Sequence, residues 1–196
     1  MAASARQSQR PRRADAERSI ESIVDAALSC FTERPDVSMT AIAQAAGVSR
    51  VTLYTHFPTR EGLLATVLDR AVAEAKRALD GIQESTPDET LSTVVRSAWE
   101  VLGRYRNLMV AADVLSPQEL REHHHLALDR IERLIVRGQE EQVFRGDLTA
   151  NWLVTVFYSL IHTAAQEVEQ GRMHSDDASD VLDRTVRAVV ALPRLD

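Results

Sequence analysis

The chain has 196 residues, 44% of them apolar and 27% charged, with a net charge of −6; these values fit a globular protein with a buried core and exclude a disordered or fibrous one. Its longest apolar stretch, Trp152 to Ile161, is broken by Thr155 and Ser159 and falls far short of the roughly 20 residues a membrane-spanning helix needs. The single cysteine, Cys30, rules out an intrachain disulfide and a cysteine-built zinc site.

The net acidity argues against a nucleic-acid partner until the charge is divided along the chain. Residues 1–62 carry eight Arg against seven acids, whereas residues 63–196 carry fifteen Lys or Arg against twenty-two acids. Arg6, Arg10, Arg12 and Arg13 crowd the start with no apolar run and small-residue cleavage site behind them. Residues 1–14 are therefore expected to be a flexible basic arm rather than a secretion signal, and the protein to be cytoplasmic.

Ile20, Ile23, Val24, Ala27, Leu28 and Phe31 recur at spacings of three and four, which predicts a helix over about Asp15 to Thr32 with one buried face. Arg34-Pro35-Asp36 breaks it, and Ser38 stands where an N-cap would open a short second helix from Met39 to Ala46. Gly47 follows in the place of a left-handed terminating residue. Ser49 then caps a third helix, Arg50 to His56, which stops before Pro58. The pattern is helix, tight turn, helix, supported by a preceding helix.

From Thr59 the residues Leu63, Leu64, Val67, Leu68, Ala71, Val72 and Ala75 predict a fourth helix to about Leu79, followed by a loop over Gly81 to Asp88. Leu91 to Tyr105 and the shorter Leu108 to Leu115 come next. Ser116-Pro117 reads as an N-cap with proline in the first helical position, ahead of a long helix through Leu128 and Ile135. After the Gly146-Asp147-Leu148-Thr149 break, two further helices cover about Thr149 to Gly171 and Asp176 to Leu192. No strand pattern or repeat interrupts this, so the expectation is an all-α chain of about nine helices, divided into the arm at 1–14, a helix-turn-helix domain at 15–58 and a larger helical domain at 59–196.

A helix held outward by a second helix can enter the major groove of DNA and present its first residues to base edges. Ser49, Arg50, Val51 and Thr52 hold those leading positions. Arg50 is the best candidate for reading sequence, since its planar fork matches the O6 and N7 of guanine, and Val51 and the Thr52 methyl suit thymine methyl groups. Tyr54, His56, Arg60 and the start of the second helix at Thr40 are candidates for phosphate. Leu53, Ile42, Ala43, Val48 and Phe57 read as core.

The run Ser38-Met39-Thr40-Ala41-Ile42-Ala43-Gln44-Ala45-Ala46-Gly47-Val48-Ser49-Arg50-Val51-Thr52-Leu53-Tyr54-Thr55-His56-Phe57, continuing into Pro58-Thr59-Arg60-Glu61-Gly62-Leu63-Leu64, closely resembles the DNA-binding segment of TetR-type regulators. The resemblance implies a homodimer in which each subunit joins three DNA-binding helices to a helical domain that binds a small effector and dimerises through its last two helices. It implies phosphate contacts at Thr40, Thr52, Tyr54, His56 and Arg60 and base reading by Arg50, Val51 and Thr55. The implied partner is double-stranded, palindromic operator DNA, from which a repressor is released by its effector. Val51 stands where the family often has a small residue or proline, and Arg60 replaces a frequent lysine, so base preference does not carry over.

Trp99, Tyr105, Met109, His124, Phe157 and His162 are candidates to line the effector pocket, because such sites mix apolar walls with few polar groups. His123-His124-His125 lacks the i, i+3 or i, i+4 spacing of helical metal ligands, so no metal is expected. No phosphate loop, nucleophile elbow, His-Glu-x-x-His pair or dinucleotide fingerprint occurs, which argues against an enzyme and against a bound cofactor. A helical protein-interaction module is the other reading of the same elements.

Overall fold

The computed structural model describes residues 3–192, and side chains from Asp15 onward other than those at 117, 120, 121 and 126. Nine α-helices and one 3₁₀ turn (Ala112–Val114), with no strand, account for the described residues. In chain order the helices are α1 Ala3–Glu33, α2 Met39–Ala45, α3 Arg50–His56, α4 Arg60–Asp80, α5 Pro87–Arg104, α6 Arg106–Ala111, α7 Pro117–Glu140, α8 Ala150–Glu169 and α9 Ser175–Val190. The all-α expectation holds. The backbone expected as an arm is helical from Ala3, and the side chains of residues 1–14 lie outside the described residues.

Local chemistry sets the helix starts. Ser38 and Ser49 adopt extended backbone and accept hydrogen bonds from Ala41 N–H and Thr52 N–H, so the first turns of α2 and α3 keep a partner for an otherwise orphaned donor. Ser116 and Glu119 exchange bonds in both directions ahead of α7: the Glu119 N–H donates to Ser116 Oγ at 3.3 Å and the Ser116 N–H donates to the Glu119 carboxylate at 2.7 Å. One boundary differs from expectation. α5 opens at Pro87, inside the segment expected to be loop, because Thr86 caps the Glu89 N–H at 3.4 Å and Pro87 needs no donor in the first turn.

The chain forms two compact units, one of residues up to Ala71 together with Asn107–Leu120, the other of Val72–Arg106 with the chain from Arg121 on. In the first, α2 packs against both α1 and α3. Ile23, Ala27, Phe31, Ile42, Leu53, Leu63, Leu64 and Val67 are fully buried, each such side chain contributing of the order of 1.5–3 kcal/mol when large. Polar ties fix the packing. Ser22 Oγ donates to Ala46 O at 2.9 Å, and Asn107 Nδ2 donates to Thr32 O and Glu33 O at 2.9 and 3.0 Å, closing the carbonyl end of α1.

In the second unit α5, α8 and α9 pack on one another around Leu91, Val94, Val95, Phe157, Leu182 and Val186. The α7–α8 connection is built on a close approach: a Cβ on Gly138 would lie 2.0 Å from the Phe144 ring, so only glycine lets that buried aromatic fold back on α7. Gln139 Nε2 holds the loop through Arg145 O and Leu148 O, and the Arg145 N–H donates to Val190 O at 2.8 Å at the end of α9. Glu84 binds Arg130 and Arg137 at 3.2 and 2.6 Å, fastening the α4–α5 loop to α7. No described helix is long and apolar enough to cross a membrane.

Candidate nucleic-acid interface

The turn between α2 and α3 depends on Gly47, whose φ of +67° belongs to the left-handed region that side-chain-bearing residues enter at a cost. Its N–H donates to Gln44 O and that of Val48 to Ala43 O, so the end of α2 is closed and the chain redirected within two residues. Ser49 then starts α3, and its Oγ sits 2.8 Å from Thr52 Oγ1 as well as accepting the Thr52 N–H at 3.0 Å. These two residues, both expected at DNA, are each other's partners and hold the helix tip in shape.

Leu53, completely buried, and Phe57 fix the inner face of α3. Residues 50, 51, 54 and 55 therefore share the outer face, as the 3.6-residue period requires. Arg50 and Thr55 are exposed there, Val51 is 77% exposed and Tyr54 41%. The Arg50 guanidinium has no partner among the described residues. Thr55 Oγ1 donates to Val51 O at 2.7 Å. Thr40 and His56 are half-buried, one in the first turn of α2 and the other in the last turn of α3.

Arg60 is placed differently from the rest. Its guanidinium lies 4.8 Å from the centre of the Phe31 ring and donates to Pro35 O at 2.6 Å and to Val37 O. Those donors are spent on the α1–α2 loop. A further feature of this region is legible in the sequence: no Asp or Glu occurs between Asp36 and Glu61, in a chain whose net charge is −6. A solvent-facing helix free of carboxylates and led by an arginine suits a polyanion.

Of the six residues expected around an effector, the structure brings His124 and His162 together and places Trp99 in the lining of a hollow. Phe157 and Tyr105 are buried, and the Tyr105 hydroxyl donates to the Glu74 carboxylate. Burial first, and then that carboxylate, push the Tyr105 hydroxyl above the ordinary phenol range. Met109 belongs to the first unit and is half-buried. His124 and His162 do come together, ring centres 5.6 Å apart, and both pack on Tyr158, at 5.4 and 4.3 Å. Tyr158 was not anticipated, although its i, i+4 spacing to His162 on one helix was a usable signal. Desolvation, with a smaller push from His124, lowers His162 to about 4. Trp99 lines a hollow of about 170 Å³ with Leu102, Gly103, Arg106, Ala165 and Val168. Among the described residues no three His, Cys, Asp or Glu side chains form a group fit for a metal ion.

A capped, outward-facing second helix behind a glycine turn defines a DNA-binding helix-turn-helix. The profile of the tetR family of bacterial regulatory proteins matches residues 23–67. The HTH-type transcriptional regulator NfxB of Pseudomonas aeruginosa is 24% identical over 84% of this chain and 90% of its own length. The HTH-type transcriptional repressor LfrR of Mycolicibacterium smegmatis is 25% identical over 91% and 94%. Among solved structures, RolR in complex with resorcinol superposes with a TM-score of 0.74 at 19% identity, over 91% of this chain and 90% of that one. LfrR in complex with proflavine gives 0.64 at 21% identity, over 91% and 98%. Residues 23–67 thus carry the tetR-family DNA-binding segment, and the chain is a DNA-binding transcriptional regulator.

Proposed function

We propose that the protein is a repressor that binds a palindromic operator as a homodimer and leaves it when a small planar molecule binds the second unit. The outer face of α3 carries this reading: Arg50 reads a guanine, Val51 and Thr55 lie against neighbouring bases, and Tyr54, His56, Thr52 and the start of α2 at Thr40 meet phosphates. Two copies place their α3 helices in successive major grooves about one helical turn apart, which makes the operator symmetric.

Dimerisation through α8 and α9 is supported by composition. Residues 150–166 of α8 carry no charge, and Trp152 at its start is 55% exposed. Depletion of charge with an exposed tryptophan is the pattern of an interface core. The likeness to RolR, solved with resorcinol, and to LfrR, solved with proflavine, supports an aromatic effector. α4 contributes to both units, Arg60 to Ala71 in the first and Val72 to Asp80 in the second, and is the continuous element through which the effector acts. By linkage, an effector that weakens operator binding binds the DNA-bound form less tightly.

Nuclease footprinting of the chain on fragments upstream of its own gene and its neighbours tests the reading. A protected site with two-fold symmetry, occupied by a dimer, is the expected result. Protection without symmetry removes the dimeric repressor, and binding that is indifferent to sequence removes the regulator.

A further inference from the structure

We propose that the hollow beside Trp99 is a binding site for a small aromatic monocarboxylate. Three observations converge on it. Its wall is apolar where Leu102, Ala165, Val168 and the half-buried Trp99 face it, and its volume of about 170 Å³ matches the roughly 150 Å³ that accepts one benzene ring in an engineered apolar cavity. One ring fills it, and a fused two- or three-ring system does not.

The second observation is the Arg106 guanidinium, which belongs to the same lining and has no hydrogen-bond or ion-pair partner among the described residues. Asp176 and Asp177 follow Ser175, also in the lining, yet neither forms an ion pair with Arg106. Most other arginines of this unit are engaged: Arg130 and Arg137 with Glu84, Arg145 with Asp147, Arg172 with Glu167, and Arg187 with Asp88. A planar fork left open beside an apolar wall takes a carboxylate through two parallel N–H···O bonds. The ring then lies along Trp99, with the carboxylate toward Arg106.

The third observation is Gly103. A Cβ added there meets nothing within 4 Å, so the hollow opens over the missing side chain. Its backbone is ordinary helix, and a leucine at this position favours α5 by up to about 1 kcal/mol while occupying the ring's space. The site deepens the effector reading above and rests on it only for its consequence at DNA.

Isothermal titration of the full chain with sodium benzoate, with benzamide as the neutral isostere, is the test. One benzoate per chain is expected, bound at least about tenfold more tightly than benzamide because the amide forfeits the charge-assisted pair. Arg106→Gln should bind both probes alike, Arg106→Lys should recover part of the difference, and Gly103→Leu should bind neither while melting no lower than wild type. Absence of benzoate binding, an Arg106→Gln variant that keeps the preference, or a Gly103→Leu variant that still binds overturns the site. Mobility of a footprinted DNA fragment, read in parallel, keeps the two readings apart. A chain that binds DNA and ignores benzoate loses the site alone, and one that binds benzoate and ignores DNA loses the regulator alone.

Discussion

Arg60 stacks on Phe31, its guanidinium carbon 4.8 Å from the ring centre, and so joins the start of α4 to the buried face of α1. With its two carbonyl acceptors, Pro35 and Val37, it closes the α1–α2 loop against the helix that leads out of the DNA-binding region.

Arg60→Ala is therefore expected to lower unfolding stability by about 2–3 kcal/mol, the worth of hydrogen bonds from a charged donor plus a partly desolvated cation–ring contact. Arg60→Lys should recover little, since an ammonium cannot serve two carbonyls and a ring face together. Denaturant melting decides it. Unchanged stability with weakened binding to every DNA sequence would instead assign Arg60 to phosphate.

Gly47→Ala should cost about 1–2 kcal/mol, the penalty for placing a Cβ in the left-handed region, because a φ of +67° is the only obstacle and nothing lies within 4 Å of the added atom. Gly47→Asn should cost less, as asparagine enters that region more readily. Equal losses for the two variants would show that something other than backbone geometry constrains the turn.

Much of this was open to reading from sequence because it is local. Ser38, Gly47, Ser49 and Ser116 act on residues within four positions, and the amphipathic spacing from Ile23 to Phe31 names its own buried face. Thr86-Pro87 carries the same cap-and-proline signal as Ser116-Pro117, but the flanking Gly81 and polar residues mask it. What stays hidden is long-range. Nothing near Arg60 in sequence announces Pro35 or Val37, and nothing beside Tyr105 announces Glu74. Likewise, periodicity marks Trp99, His124 and Phe157 as inward-facing without saying which helices bring partners to them: Phe157 is buried, His124 meets His162, and Trp99 lines a hollow.

His162 makes stability depend on pH. The folded chain holds it near 4 whereas the unfolded chain titrates near 6.5, so the unfolded state binds the extra proton between those values and stability falls as pH drops through that window. The loss is about 2 kcal/mol between pH 7 and pH 5. Thermal melting of wild type and His162→Phe at both pH values should show a smaller drop for the variant. Parallel drops would mean that His162 titrates normally.

Trp152→Glu tests the face of α8. A carboxylate in place of the 55% exposed indole should weaken self-association by about 2 kcal/mol or more, some thirtyfold, as read by sedimentation equilibrium. An unaltered dimer would move the interface off this end of α8.

The most direct test of sequence reading by α3 is the affinity of Arg50→Ala for the footprinted duplex and for a scrambled duplex of equal length, measured by fluorescence anisotropy at one salt concentration. The expected result is a loss of about 1–3 kcal/mol on the specific duplex, with a much smaller change on the scrambled one, because a base-reading fork is lost while most phosphate contacts stay. Equal losses on both, or none on either, would contradict the assignment of Arg50 as the residue that reads DNA.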